Sequence, residues 1–190
     1  MGTVDKNWDP AVLVFLVACL FIGWLVKAGV ESRTIDFDDP EVGISLRYPA
    51  HWVTTQEEDA LLAVLDPQTP STFNTKLILN SAKWNEDIEL GSFVMELAAM
   101  RGASLPLYRI TSMNPIQVDN RKAMKVEYAY AIDPIGVQAG VVSVPKIVRA
   151  LDVIVPKAQK AFIITFAAEE KEYDRYLPAF HTILRSVRLQ

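Results

Sequence analysis

From Pro10 to Val26 no position carries a charged or strongly polar side chain, and Lys27 is followed by the apolar run that ends at Val30. At 1.5 Å rise per residue a helix over this stretch covers the roughly 30 Å hydrocarbon layer of a bilayer, with Lys27 reaching back to the headgroups. Asp9 suits the cap and Pro10 the first helical position, where a missing amide costs nothing. The pattern therefore predicts a transmembrane helix over 9–30, with Phe15 and Phe21 facing lipid and Trp8 and Trp24 at its two interfaces. A cleaved signal fits poorly, because Lys6 sits between Asp5 and Asp9 instead of in a basic leader. Leu16-Val17-Ala18-Cys19 resembles a lipoprotein cleavage box, but the chain stays apolar up to Val26 where a mature lipoprotein turns polar, and Lys6 occupies the position a myristoylation motif gives to Ser or Thr. Cys19 is then a small apolar side chain of the helix.

After a tail over 1–8, the helix and a polar linker over 31–34, the periodicity changes. Residues 35–190 are dominated by alternation with period two, bounded by turn residues, and read as one folded unit. Ile44–Tyr48 stops at Pro49, Ala60–Leu65 stops at Asp66-Pro67, and Lys76–Ala82 follows a Pro, Ser and Thr loop. Tyr108–Met113, Pro115–Val118 and Lys122–Ile132 read as further strands, with Asp119-Asn120 as a turn, and Arg149–Val155 with Ala161–Ala167 as a closing hairpin. Asp87–Arg101 has helical spacing, with Ile88, Phe93, Val94, Leu97, Ala98 and Met100 on its inward stripe, Asp87 as its cap and Gly102 as its stop. Lys171–Val187 carries Tyr173, Tyr176, Leu177, Phe180, Ile183, Leu184 and Val187 on one stripe, and Pro178 is expected to kink or delay it. Hairpins with two helices, rather than strict strand and helix alternation, give an α+β class with a mainly antiparallel sheet.

Composition narrows the function more by exclusion than by assignment. The 190 residues are 51 % hydrophobic and 22 % charged, which excludes a disordered or low-complexity chain. Lys6, Lys27 and Arg33 balance Asp5, Asp9 and Glu31, so the net charge of −4 belongs to the domain, and such a domain is not built to neutralise a phosphate backbone; no nucleic-acid partner is expected. The lone cysteine excludes an internal disulfide. His51 and His181 have no Gly-x-Ser-x-Gly elbow or cysteine nucleophile to serve, so both read as packing or surface residues. Asp36, Asp38, Asp39 and Glu41, and the run Glu57-Glu58-Asp59, lack the glycine-containing spacing of a calcium loop and read as solvated surface; Gly136 and Gly140 lack the Lys-Ser/Thr of a phosphate loop. Neither catalytic residues, nor a metal, nor a cofactor is expected. The connection over 133–147 is long, and Ile135, Val137, Val141, Val142 and Val144 are apolar where a solvated loop is polar, so these five are candidate partner contacts, with burial in a further strand as the equal alternative.

Three stretches resemble the PsbP/Mog1-like domains: Gly43-Ile-Ser-Leu-Arg-Tyr-Pro-Ala-His-Trp52, the strand pair over 149–168, and the closing helix Tyr176-Leu-Pro-Ala-Phe-His-Thr-Ile-Leu-Arg-Ser-Val187. The resemblance implies an α-β-α sandwich with Trp52 packed back on the sheet, and a non-catalytic accessory or scaffold role in a membrane complex of the photosynthetic or respiratory kind. Its partners are then membrane lipid and other subunits, and it favours the extracytoplasmic face, periplasmic or lumenal, while the nearly balanced charges beside the helix lean toward the cytoplasmic face. An uncleaved membrane helix departs from the plant lumenal pattern. A membrane-tethered module for a small lipid or other hydrophobic ligand is the alternative reading, and it requires an enclosed apolar pocket between sheet and helix.

Overall fold

The computed structural model describes residues 10–31, 33–132 and 145–190, and in the first helix the side chains of 12–23 only. That helix, α1 (Pro10–Glu31), is followed by β1 (Thr34–Asp39), β2 (Ile44–Pro49), β3 (Val53–Thr54), β4 (Ala60–Leu65) and β5 (Lys76–Lys83). Then come α2 (Leu90–Ser104), β6 (Arg109–Val118), β7 (Arg121–Ile132), β8 (Lys146–Lys157), β9 (Lys160–Glu169), α3 (Glu170–Ser186) and β10 (Arg188–Leu189). The described side chains of α1, Val12 to Gly23, are all exposed, Phe15 and Phe21 among them. Trp8 and the side chain of Trp24 lie outside the described residues. Among the described residues no helix is long and apolar enough to cross a membrane.

The described strands form two antiparallel sheets, one ordered β3-β4-β5-β9-β8-β7-β6 and a smaller one ordered β1-β2-β10. Alternation along β8 and β9 divides the interior into two cores. Leu151, Val153, Val155, Phe162, Ile164 and Phe166 point to one face, where the smaller sheet and α3 cover them with Ile44, Leu46, Trp52, Tyr173 and Phe180. Val148, Ala150, Ile154, Ile163 and Ala167 point to the other, under Phe93 and Val94 of α2. Central strands buried on both faces explain why β8 and β9 read as nearly unbroken apolar runs. The layers are helix, sheet, helix, and Trp52 is packed in the first core.

Local chemistry sets the turns. Asp119 and Asn120 both adopt positive φ (48° and 60°), as a two-residue hairpin loop between β6 and β7 requires. Gly43 closes the β1–β2 turn at φ 80°, and a Cβ there would lie 2.5 Å from Lys157 Nζ, whose ammonium is bonded to the Gly43 and Gln190 carbonyls. The acidic group of this turn is engaged locally: Asp39 Oδ1 accepts the Val42 amide at 3.0 Å, and Asp38 Oδ1 accepts from Gln190 Nε2 at 3.2 Å.

Three sequence expectations are corrected. The cap of α2 is Glu89, not Asp87, and the helix runs through Gly102 to Ser104. Pro115 does not divide two strands: β6 is continuous across it, because an edge strand has a side on which no amide is needed. Pro178 lies within an α3 that is continuous from Glu170.

Candidate functional site

A buried polar cluster sits beneath α2. Asp152, on β8, points toward the second core among apolar neighbours and is 4 % exposed. Arg101, in the last turn of α2, reaches down to it, with Nη2 2.8 Å from Asp152 Oδ2 and 3.1 Å from Thr165 Oγ1. Thr165 Oγ1 and Tyr128 Oη donate to Asp152 Oδ1 at 2.7 and 3.2 Å. The guanidinium also lies 5.2 Å from the Tyr128 ring centre, and Tyr108 and Tyr130 pack against that ring. Desolvation lifts the Asp152 carboxyl above the ordinary carboxylate range, and Arg101, Thr165 and Tyr128 offset part of that cost. Burial pulls Arg101 down, but Asp152 and the surrounding tyrosines hold it above its usual value. Burial pushes the Tyr130 phenol up to about 12.

Both oxygens of Asp152 are occupied by donors from within the chain. The cluster ties the last turn of α2 to β8 and β9, and Phe93 and Val94 pack the same face of the helix on the sheet. That packing decides what α2 shows to solvent. Phe93, Val94 and Ala98 face in; Met95 (55 % exposed), Ala99, Met100 (62 %) and Ala103 face out. A surface helix ordinarily turns charge outward; α2 turns out Met95, Ala99, Met100 and Ala103 with only Glu96 as a charge among them, beside the polar Ser92. Met100 and Ile88 thus stand outside the core in which their spacing placed them.

The chain leaves α2 through Leu105 and Pro106 and presents Leu107, which is 79 % exposed with φ 54°. A branched apolar side chain in the left-handed region, without cover, is held against its own preference. The Ala131 amide bonds the Pro106 carbonyl at 2.8 Å, so Leu107 stands beside the end of β7 from which 133–144 departs. The predicted contact residues Ile135, Val137, Val141, Val142 and Val144 lie outside the described residues. Sequence reasoning missed the α2 surface; its signal is the second apolar set, Met95, Ala99, Met100 and Ala103, interleaved with the inward one.

Elsewhere, His51 Nε2 is 3.9 Å from Asp66 Oδ2, but that carboxylate is taken by Tyr176 Oη at 2.8 Å and the Gln68 amide at 2.9 Å. No nucleophilic hydroxyl or thiol is bonded to His51 among the described residues. His181 is exposed on α3 against the Phe180 ring. Among the described residues no three His, Cys, Asp or Glu side chains gather as metal ligands.

No family model matches the chain, and no curated protein matches it. Solved structures do. Cyanobacterial PsbP from Synechocystis sp. PCC 6803 superposes with a TM-score of 0.61 at 13 % identity, over 83 % of this chain and 92 % of that one. The Ran-binding protein Mog1p of Saccharomyces cerevisiae gives 0.55 at 7 % identity, over 83 % and 95 %. LpqN of Mycobacterium tuberculosis, described as involved in cell envelope biogenesis, gives 0.54 at 14 % identity, over 84 % and 92 %. At such identities the likeness is one of fold, and the fold of this chain is PsbP/Mog1-like.

Proposed function

We propose that the chain is a non-catalytic accessory subunit of a membrane complex, held by α1 and docked to an apolar surface of a neighbouring subunit through the outer face of α2 and Leu107. The observation that carries the docking is the outward set Met95, Ala99, Met100 and Ala103, opposite the face that Phe93, Val94 and the buried Arg101–Asp152 pair hold on the sheet. Apolar side chains arranged on a helix already formed bind by desolvation, and the ordering cost on this side is confined to side-chain rotamers such as those of Met95 and Met100. Support for the anchor comes from the run Pro10–Val26 within a 22-residue helix whose described side chains are exposed and, Thr and Ser being absent from it, apolar. For the domain we propose the extracytoplasmic face; LpqN, which shares the fold, is described as involved in cell envelope biogenesis. The grooves described on the domain open to solvent and are not enclosed apolar chambers, so the small-ligand alternative gains nothing from them.

The test is co-purification of the full chain from native membranes. A Met95→Asp, Met100→Asp, Leu107→Asp variant is expected to keep its circular dichroism and its place in carbonate-washed membranes while losing the complex on native gels. Co-migration of the variant with the same complex overturns the docking surface. Release of the wild-type chain by carbonate overturns the anchor, and digestion of the domain by protease inside the cytoplasmic compartment overturns the sidedness.

A further inference from the structure

A second surface lies where the chain leaves α1. The start of β1, the end of β2 and the last turns of α3 enclose an open groove of about 500 Å³, whose lining includes Arg33, Arg47, Arg185, Thr182, Ser186 and Ile183. Its hydroxyls are engaged: Ser186 Oγ donates to the Ile183 carbonyl at 2.6 Å and accepts the Arg47 amide at 2.8 Å, and Thr182 Oγ1 donates to the Pro178 carbonyl at 3.1 Å. The groove's guanidiniums hold no buried ion pair among the described residues. Among the described residues neither Arg33 nor Arg185 has a carboxylate within ion-pair distance, and Arg47 Nε is 3.6 Å from an Asp36 that is itself 80 % exposed, a pair water screens almost completely. Arg188, next along, turns its Nη1 to the Arg185 and Val187 carbonyls. In a chain of net charge −4, Arg33, Arg47 and Arg185 bring three permanently charged guanidiniums to one groove that Pro49, Ala179 and Ile183 line with apolar surface.

The location states which anion. Only Ser32 and Arg33 lie between the end of α1 at Glu31 and the start of β1 at Thr34, three residue steps that span at most about 11 Å. With α1 in a bilayer, the groove opens at headgroup depth, within reach of the phosphates of whichever leaflet the domain faces. Ile183 offers an apolar wall to the glycerol end of such a molecule, and guanidiniums can grip phosphate oxygens in pairs. Resting on the anchor reading of α1, we infer that the groove binds the phosphate headgroup of an anionic phospholipid through Arg33, Arg47 and Arg185.

The experiment uses the full chain in nanodiscs of phosphatidylcholine, with or without phosphatidylglycerol, read by hydrogen exchange of the amides over 45–50 and 182–188. Phosphatidylglycerol is expected to slow exchange there several-fold, and an Arg33→Gln, Arg47→Gln, Arg185→Gln variant is expected to lose that protection while exchange over 161–168 stays as in the wild type. Arg185→Gln alone, at an exposed side chain with no described contact, is expected to lose part of it. Equal exchange in the two lipids, by a chain that remains in the disc, overturns the inference. The same protection from inorganic phosphate added to neutral discs overturns the lipid as ligand and assigns the groove to a soluble anion. Elution of the chain apart from neutral discs is the separate failure of the anchor.

Discussion

Asp152 is the residue on which the second core is most exacting. A carboxylate at 4 % exposure is tolerable because Arg101, Thr165 and Tyr128 all donate to it, so removing the cation leaves a buried charge with two neutral donors and no counter-ion. Arg101→Leu is expected to cost about 3–5 kcal/mol near neutral pH, measured by chemical denaturation in detergent. The loss should shrink on acidification. Burial has already raised this carboxyl above its unfolded value, and a group so raised contributes its stability in acid and loses it as pH climbs through the folded pKa. A loss that is flat with pH would show that Asp152 is not the group left bare. Leu107 offers the converse case, a residue poorly suited to the fold it belongs to. With φ 54°, Leu107→Gly removes a Cβ from the left-handed region and is expected to gain up to about 1 kcal/mol. The same variant should weaken partner capture on native gels, and a stability gain with capture unchanged would remove Leu107 from the interface.

Elements were legible in the sequence in proportion to how one-sided their burial is. The stripe from Tyr173 to Val187 faces the first core, with Tyr173, Phe180, Ile183 and Val187 buried, and Ala60–Leu65 matches β4 end to end. β1 was hidden because its alternation is Ile35 and Phe37 against Asp36, Asp38 and Asp39. An exposed edge strand with acidic alternate positions looks like a solvated cluster until its pairing with Ile44–Pro49 is known. α2 misled in the opposite sense, since periodicity counts apolar positions and does not say which of two sets of them the sheet takes; here distant contacts, Arg101 with Asp152 and Phe93 and Val94 with the sheet, go with the choice. The candidate site was for that reason mostly illegible: its surface is local in sequence, but the direction it faces is set across the fold. Pro178 was legible as a defect, and tertiary packing overrides it. Phe180 and Ile183 hold the helix on the core past the missing amide, so Pro178→Ala is expected to raise the melting temperature, corresponding to about 1 kcal/mol or more, with no effect on partner binding. An unchanged or lower melting temperature would show that the break relieves a strain elsewhere in α3.

At the scale of the molecule the two proposed surfaces divide the domain. The arginine groove lies against α3 and the smaller sheet, beside the end of α1, and the α2 face lies across the central sheet from it. A chain held by lipid at one and by protein at the other has its orientation defined twice. Inserting a flexible Gly-Ser segment between Ser32 and Arg33 is expected to leave the domain's stability unchanged while abolishing the phosphatidylglycerol-dependent protection over 182–188, because the groove would no longer be held at the headgroups. Full protection after insertion would mean that the groove finds its ligand without help from the junction. That junction has a kinetic meaning as well. With α1 held in lipid as proposed, a globule kept within two residues of it does not sample the bulk aqueous phase; it drifts in a plane and meets what drifts beside it. Crowding per unit area, not molarity, then governs how often it is engaged, and a partner without its own hold on the same leaflet is at a standing disadvantage.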